Sequence, residues 1–309
     1  MVLMAVTGVV LLVGIALTLA WGATGYAPWG PGPGDDGAPR PPTSAQDRPS
    51  VRTGALRYLR GVAIALVAGF WAGLLVTGPA VRLIMRLLAV TAGDDAQGGF
   101  TEADEVVGNI DTGGTVALVI FGGILPGLLS GAVYVLVRRW LPAGRLGGVV
   151  FGALHLLVAA TRVDPLRPDN PDFDLVGPGW LAVVTFGLAS ILHGMAVVAI
   201  ANRYSHSFPP EAPTRAARAR GVLPLVPPVL LLIPGAVVLL PIAVGLAIAV
   251  AASRIEPVVR FARSRGALVG GRIAAGLVAV ALLPGTITDL HDVIVRDDTP
   301  TSAPAAVSR

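Results

Sequence analysis

Long apolar runs alternate with short polar segments along the chain. The runs, in chain order, cover residues 2–21, 61–92, 113–137, 146–161, 179–201, 222–252 and 267–285. A helix of about 20 apolar residues is long enough to cross the ~30 Å hydrocarbon core of a bilayer. The pattern therefore predicts an all-α fold, a polytopic transmembrane helical bundle with about six to eight membrane segments.

Composition supports a membrane location. The chain is 54% hydrophobic and 14% charged, with a mean hydropathy of +0.74, whereas an ordinary soluble domain is about 25% charged. A soluble core could not hide that much apolar surface. Because the sequence contains no cysteine, disulfides, thiolate catalysis, iron–sulfur clusters and cysteine-type zinc sites are excluded.

The runs divide the chain into four parts. Residues 1–21 lack the basic leader of a cleavable signal peptide and are predicted to form an uncleaved first transmembrane helix. Residues 22–60 are rich in glycine and proline, which predicts a flexible cytoplasmic linker. Residues 61–289 form the predicted bundle, in which Pro79 is expected to end the first span with a kink. Residues 290–309 are predicted to be a disordered tail.

Arginine supplies all 23 basic residues, and its placement predicts the topology. Short loops rich in Lys or Arg stay on the cytoplasmic side of a membrane. Placing residues 22–60, 138–145, 202–221 and 253–265 on that side gives them 16 arginines, and 93–112, 162–178 and 286–309 then hold four. The latter three segments hold 14 of the 19 acidic residues. We therefore predict a multi-pass protein of the cell membrane with two acidic outer loops, 93–112 and 162–178.

Five prolines break the run 222–252, so one straight helix is not expected. Either the run forms a hairpin or re-entrant segment that begins and ends on the cytoplasmic side, or it makes one tilted crossing. A single crossing would place Arg254, Arg260, Arg263 and Arg265 outside, against the arginine rule. The hairpin is therefore preferred.

Glycines recur every four residues in the third run, at Gly123, Gly127 and Gly131. This spacing lines one face of a helix with small residues, which lets a neighbouring helix approach closely. We predict helix packing within the chain, with homodimerisation as the alternative.

Arg82 and Arg86 are four residues apart and therefore share one face of an otherwise apolar helix. Charge at membrane depth is costly and is usually paired or functional. Two interpretations are open: both side chains reach the outer surface and pair with acidic residues, or they bind an anionic ligand or lipid headgroup. The acidic partners considered are Asp94, Asp95, Glu102, Asp104 and Glu105.

The first outer loop contains a segment that resembles a capping box, because Thr101 is followed three residues later by Asp104. The pattern predicts a short surface helix. Metal binding by Glu102, Asp104 and Glu105 is the alternative.

The segment 162–174 of the second outer loop has three prolines, which restrict its backbone. We predict an ordered cap tied by Arg–Asp pairs, with a partner or ligand surface as the alternative. A calcium loop beginning at Asp172 fails because Val183 stands where a bidentate glutamate is needed, so no metal is assigned. The candidate residues are Asp164, Arg167, Asp169, Asp172 and Asp174.

His155 and His193 lie inside apolar runs, where ionisable groups are candidate functional residues. Counted from the outer ends of their runs, their depths differ by about 12 Å at 1.5 Å per residue. We therefore predict that they do not share an ion and that each is hydrogen-bonded within the bundle.

No motif in the sequence assigns a chemistry. H-E-x-x-H, G-x-S-x-G and the P-loop pattern are absent, so zinc-protease, serine-hydrolase and P-loop activities have no support. No basic and aromatic patch suited to nucleic acid is visible. We assign no cofactor, and the expected partners are the lipid bilayer and either a second copy of the chain or another membrane protein.

The stretch from Gly78 to Arg203 resembles a family of uncharacterised multi-pass membrane proteins from actinobacteria. The residues that carry the resemblance are 85–89 (MRLLA), 101–108 (TEADEVVG), 113–115 (GGT) and 164–173 (DPLRPDNPDF). The family has no assigned activity. The resemblance therefore implies a plasma-membrane location and supplies no catalytic residues.

The leading hypothesis is a non-enzymatic integral membrane protein that acts through ordered outer loops and helix contacts. A transporter or channel-like permease that uses Arg82, Arg86, His155 or His193 is the alternative, and a membrane-embedded enzyme is the second. A transport path needs polar groups stacked through the bilayer, whereas the fourth, fifth and last runs each show one isolated ionisable residue. That pattern favours the leading hypothesis.

Overall fold

The computed structural model describes residues 1–26, 51–207, 223–231, 239–254, 261 and 264–296. It confirms the all-α fold class: within these ranges the only β pairing is an isolated bridge between Phe100 and Val106. The helices are α1 (Val2–Trp21), α2 (Val51–Ala72), α3 (Gly78–Thr91), α4 (Thr112–Leu118), α5 (Leu125–Val137), α6 (Gly144–His155), α7 (Gly179–Ser207), α8 (Val226–Leu230), α9 (Leu239–Arg254) and α10 (Arg265–Arg296).

Several helical segments are long and apolar enough to cross a membrane. Among the described residues they are Val2–Trp21, Ala55–Thr91, Thr112–Val137, Gly179–Ser207 and Arg265–Arg296. Two shorter apolar helices, Gly144–Ala160 and Leu239–Ile248, accompany them. Their length and composition indicate a protein that is inserted in a membrane.

Two of the long segments contain a wider π-turn shortly before a proline. The first, Gly73–Thr77, precedes Pro79, and the second, Val119–Ile124, precedes Pro126. In the first π-turn the amide of Gly78 bonds to the carbonyl of Gly73, five residues back. Proline clashes with the carbonyl four residues before it, and a π-turn is one way a helix accommodates such a disturbance. The interruption predicted at Pro79 therefore takes the form of a π-turn, after which the helix continues to Thr91.

We call Gly123, Gly127 and Gly131 the glycine stripe. It packs against α2 and the π-turn that follows α2. A Cβ on Gly127 would overlap the carbonyl oxygen of Gly69 and lie 3.1 Å from Cα of Gly73. Gly123 meets Gly78 and Gly73 in the same way, and Gly131 meets the carbonyl of Ala65. The stripe therefore serves packing within the chain, because the backbones touch where the side chains are missing.

Helix α7 lies at the centre of the bundle. It packs against α6, α2, α1, α10 and α3, and its residues from Ala196 to Asn202 are all buried. Gly148 and Gly152 of α6 lie directly against its backbone, next to Gly194. Helix α10 lies at the periphery and exposes most of its apolar side chains. The close contact between α6 and α7 brings His155 and His193 side by side.

Charge separates the two ends of the bundle. The basic end holds the contacts between Arg145 and the carbonyl of Leu19 and between Arg60 and the carbonyl of Ser205. The opposite end holds every acidic residue of the described ranges, namely Asp94, Asp95, Glu102, Asp104, Glu105, Asp111, Asp164, Asp169, Asp172, Asp174, Asp289 and Asp292. We call loops 93–112 and 162–178, together with the end of α10 (286–296), the acidic cap.

Three boundaries differ from the expectations or lie outside the described residues. Helix α2 begins at Val51, so the last ten residues assigned to the linker 22–60 are helical. Helix α10 runs to Arg296, so the tail predicted from residue 290 begins with more than a turn of helix. The helix persists because Val293 is fully buried. The centre of the 222–252 run, residues 232–238, lies outside the described residues, so its predicted hairpin stays a prediction.

Candidate functional site

Arg167 joins the two loops of the acidic cap. Its guanidinium forms an ion pair with Glu102 of the first loop and lies 3.3 Å from the carboxylate of Asp169 and 3.9 Å from that of Asp164. The amide of Glu102 donates to the carboxylate of Asp172, 2.7 Å away. The side chain and the backbone of Glu102 are thus both held by the second loop, so the two loops form one surface.

The end of α10 is clasped to the same surface. Arg296 forms a two-pronged ion pair with Asp174, with N–O distances of 2.5 and 2.6 Å. It also donates to the carbonyl oxygen of Pro168 at 2.6 Å. A planar guanidinium that meets a carboxylate with two bonds fixes both orientation and distance. The last turn of α10 is therefore part of the cap.

An apolar floor lies under the second loop. Leu166 is fully buried, and Phe173 and Val176 are 4% and 3% exposed. Asn170, also buried, accepts a hydrogen bond from the amide of Asp172 and donates to the carboxylate of Asp164. Buried side chains in a short loop require a fixed backbone, because each must occupy one packing site. The loop is ordered by its own core as well as by its ion pairs.

The ion-pair network changes the acidity of two cap residues. Burial raises the pKa of Asp164, the positive charge of Arg167 opposes that rise, and the carboxylates of Glu102 and Asp172 add to it. The hydrogen bond from Arg167 to Glu102 raises the pKa of the guanidinium. Burial of Asp164 is thus the main reason why its pKa stays raised despite the nearby charge of Arg167.

The short surface helix predicted for residues 101–105 is wrong. Thr101 and Glu105 face each other in a tight turn, in which the amide of Thr101 donates to the carbonyl of Glu105 at 2.9 Å. The hydroxyl of Thr101 accepts from the amide of Glu105, and Asp104 adopts a left-handed conformation with φ of 57°. A hydroxyl can bond a nearby amide in a turn as readily as at a helix start, and here the turn wins.

The ion pairs considered for Arg82 and Arg86 are not formed with any side chain that the structure describes. Arg86 donates to the backbone carbonyl of Gly108 at 3.4 Å. The Nε of Arg82 is buried and has no acceptor among the described residues. Two carboxylates of the first loop are bound elsewhere, Glu102 by Arg167 and Asp111 by the start of α4. Both arginines therefore lie at the base of the cap without a carboxylate partner.

A second polar cluster lies inside the bundle around His193, which is 1% exposed. Its Nδ1 lies 2.6 Å from the hydroxyl of Thr77, and its Nε2 lies 2.6 Å from the hydroxyl of Ser130. The ring of His155 lies 5.2 Å away, centre to centre, and its Nδ1 lies 3.5 Å from the hydroxyl of Ser190. Four helical segments thus contribute to one polar cluster.

The separation of about 12 Å expected between the two histidines is wrong. Helices α6 and α7 approach so closely at Gly148, Gly152 and Gly194 that His155 and His193 come to lie side by side. Counting residues from loop boundaries treats each helix as upright and assumes that all the boundaries lie at one level. Both histidines are hydrogen-bonded within the bundle, as predicted.

Five residues of these two sites were not singled out from the sequence. Thr77, Ser130 and Ser190 are uncharged and stand inside apolar runs, where a hydroxyl gives no pattern of its own. Asn170 could have been suspected because it lies within an acidic loop, and Arg296 because it lies in an acidic segment. Among the described residues, no group of three His, Asp or Glu side chains converges to hold a metal ion.

No protein-family profile, no curated protein sequence and no solved structure matches this chain.

Proposed function

We propose that the protein is a multi-pass protein of the cell membrane that binds a cationic partner through its acidic cap and catalyses no reaction. The observation that carries the proposal is the rigid joining of three chain segments by Arg167 and Arg296 at one end of the bundle. A surface held this firmly loses little conformational entropy on binding. The arginine-rich opposite end supports a cytoplasmic placement for that end, with the cap outside.

The cap offers both charge and apolar contact. It contains twelve acidic residues and three arginines. Asp104 and Glu105 form no ion pair with any described residue, and Phe100 beside them is 69% exposed. An exposed aromatic ring next to unpaired carboxylates suits a partner that presents Lys or Arg around an apolar side chain. Charge complementarity of this kind mainly raises the association rate and the selectivity.

Site-specific photocrosslinking tests this proposal in intact cells. Phe100 is replaced by a photoreactive phenylalanine, and Leu277, an exposed apolar residue of α10, is replaced in a control. We expect a discrete protein adduct from position 100 that decreases in the double variant Asp104→Asn, Glu105→Gln. Equal adducts at both positions, or an adduct unchanged by loss of the two charges, would contradict the proposal.

The orientation has a separate test on the cysteine-free background. Thr101→Cys should react with a membrane-impermeant maleimide in intact cells. Ser264→Cys, which lies at the basic end, should react only after the membrane is opened. Labelling of both Thr101→Cys and Ser264→Cys from outside would overturn the preferred hairpin assignment for 222–252.

The His193 cluster favours a second candidate, a permease. Ionisable residues inside a membrane-spanning bundle often mark substrate or ion pathways, and His155 and His193 are two such residues side by side. Reconstituted vesicles should show no ion or solute flux above protein-free vesicles if the cap-binding function is right. Flux that is lost in His193→Asn or in Arg86→Ala would instead establish transport.

The enzyme hypothesis has one supporting contact. The hydroxyl of Ser130 and Nε2 of His193 have the spacing of a nucleophile and its base. Ser130 is only 5% exposed and also donates to the carbonyl of Gly127 in its own helix. Its geometry is that of a hydroxyl satisfied within a helix bundle, so we do not assign catalysis to it.

A further inference from the structure

An unsatisfied donor lies at the base of the acidic cap. The Nε of Arg82 is buried and has no hydrogen-bond acceptor in the part of the chain that the structure describes. Leaving a charged donor without an acceptor in a buried position is costly, so such a group normally has a partner. The partner has to be an acceptor that comes from outside the described side chains.

The two carboxylates that act electrostatically on Arg82, those of Asp111 and Glu105, face the start of α4 and form no ion pair with this arginine. Asp111 caps α4 by accepting from the amide of Gly114 at 2.7 Å, and its second oxygen accepts from Asn109. Glu105 lies against Gly114, so its carboxylate also faces the start of α4. Neither acid is within ion-pair distance of Arg82. Their positions are set by the backbone of the next helix.

The surroundings of Arg82 have the character of a membrane interface. Arg86 lies one helical turn nearer the cap on the same face, about 6 Å along the axis. Val90, one turn beyond Arg86 on the same face, is 58% exposed, and Leu87 on the neighbouring face is 41% exposed. Two guanidinium groups therefore border an apolar surface that lipid chains can cover. That combination matches a lipid with an anionic headgroup.

We propose that Arg82 and Arg86 bind a phosphate group, supplied by a membrane phospholipid. Guanidinium suits this ligand because its planar fork donates two parallel hydrogen bonds to phosphate oxygens. The Nε–H of Arg82 would then have its missing acceptor. Free inorganic phosphate has the same chemistry at the binding atoms, and the experiment distinguishes the two sources. The phosphate is held by Arg82 and Arg86, whereas the partner of the cap is proposed to contact Phe100, Asp104 and Glu105.

The test uses the full-length protein in nanodiscs made from an uncharged glycolipid. Phosphatidylglycerol is titrated in, and its binding is followed by native mass spectrometry. Arg82→Gln and Arg86→Gln should each raise the dissociation constant about tenfold or more, because each removes hydrogen bonds to a charged group. Arg272→Gln is the matched control, because Arg272 lies in an apolar helix at the opposite end and already donates to the carbonyl of Trp140.

A second arm adds millimolar inorganic phosphate in the absence of phospholipid and follows the melting temperature. A rise in the wild type that Arg82→Gln lacks would support the phosphate site with a free anion as its ligand. The proposal is overturned if neither phosphatidylglycerol nor phosphate distinguishes the wild type from Arg82→Gln. If Arg82→Gln does not fold, Arg82→Lys replaces it. That variant keeps the positive charge but lacks the planar guanidinium that donates two parallel hydrogen bonds. It should bind phosphatidylglycerol more weakly than the wild type and more tightly than Arg86→Gln.

Discussion

Replacing glycine by alanine should change the stability of the protein differently at Gly127, where α5 packs on α2, and at Gly187, which has no such contact. A methyl group on Gly127 would overlap the carbonyl oxygen of Gly69, whereas a methyl group on Gly187 of α7 meets nothing within 4 Å. Forcing an extra carbon into packed backbone costs about 1–3 kcal/mol. Alanine regains up to about 1 kcal/mol in either helix, because glycine is the poorer helix former.

Gly127→Ala should therefore destabilise the protein by about 1–2 kcal/mol, and Gly187→Ala should leave it unchanged or stabilise it by up to about 1 kcal/mol. Unfolding by SDS in mixed micelles, followed by the fluorescence of the five tryptophans, measures both values. The mass of each protein–detergent complex is measured in parallel.

Two results would refute the reasoning about the stripe. If Gly127→Ala unfolds at the wild-type midpoint, the backbones of α2 and α5 are not in contact at this point. If it converts a dimer to a monomer without a change in monomer stability, the stripe packs between two copies of the chain. The second result would restore the homodimer interpretation of Gly123, Gly127 and Gly131.

Three further predictions concern the two polar sites. His193→Ala should lower the free energy of unfolding by about 2–4 kcal/mol in the same titration, because it empties a buried site. His155→Ala should lower it less, because His155 is partly exposed, and equal losses would contradict the burial argument. Arg296→Gln should leave the unfolding midpoint nearly unchanged, since exposed ion pairs contribute only ~0–1 kcal/mol, but it should speed amide hydrogen exchange in the last turn of α10. Unchanged exchange would mean that the ion pair between Arg296 and Asp174 does not hold this turn in place. Because the pKa of Asp164 is raised, its ionised form opposes folding, so the wild type gains stability as the pH falls through that pKa. Asp164→Asn should lack this gain in melting temperature, and an identical pH profile would contradict it.

The apolar runs predicted the main helices because length and hydropathy alone decide whether a segment can satisfy its backbone in lipid. The glycine spacing also predicted a close helix contact, since a repeat of four residues is a local property. Its partner could not be derived in the same way. The choice of α2 depends on the matching glycines at 69 and 73, which only the three-dimensional arrangement brings opposite the stripe.

The cap shows where local patterns are insufficient. Thr101 and Asp104 fit a capping box, but Gly98 and Gly108 on either side adopt positive φ and bring the loop back on itself. Glu102 and Arg167 are 65 residues apart, so no spacing rule joins them. Both carry charge, which identified them as candidates, while their pairing depends on how the loops fold over Leu166.

The buried cluster was the hardest feature to anticipate. His193 was visible as an ionisable group in an apolar run, but its partners Thr77 and Ser130 are small hydroxyl residues on other helices. A hydroxyl in a helix usually bonds a carbonyl of its own preceding turn, which conceals any second role. Counting residues along each run predicted different depths for the two histidines. That prediction was wrong because the close approach of α6 and α7 brings His155 beside His193.

The π-turns have a geometric consequence for the glycine stripe. In an α-helix with 3.6 residues per turn, residues four apart are offset by about 40° around the axis, so a repeat of four winds slowly away from a straight neighbour. A π-turn has about 4.4 residues per turn, which offsets the same repeat by roughly 30° in the opposite direction. Only Gly123 lies within the π-turn Val119–Ile124, so the effect on the contact comes from the partner helix. Residues five apart are offset by about 140° in an α-helix but by only about 50° in a π-turn, so Gly73 and Gly78 face the same side across the turn Gly73–Thr77. Both can therefore lie against the backbone of Gly123.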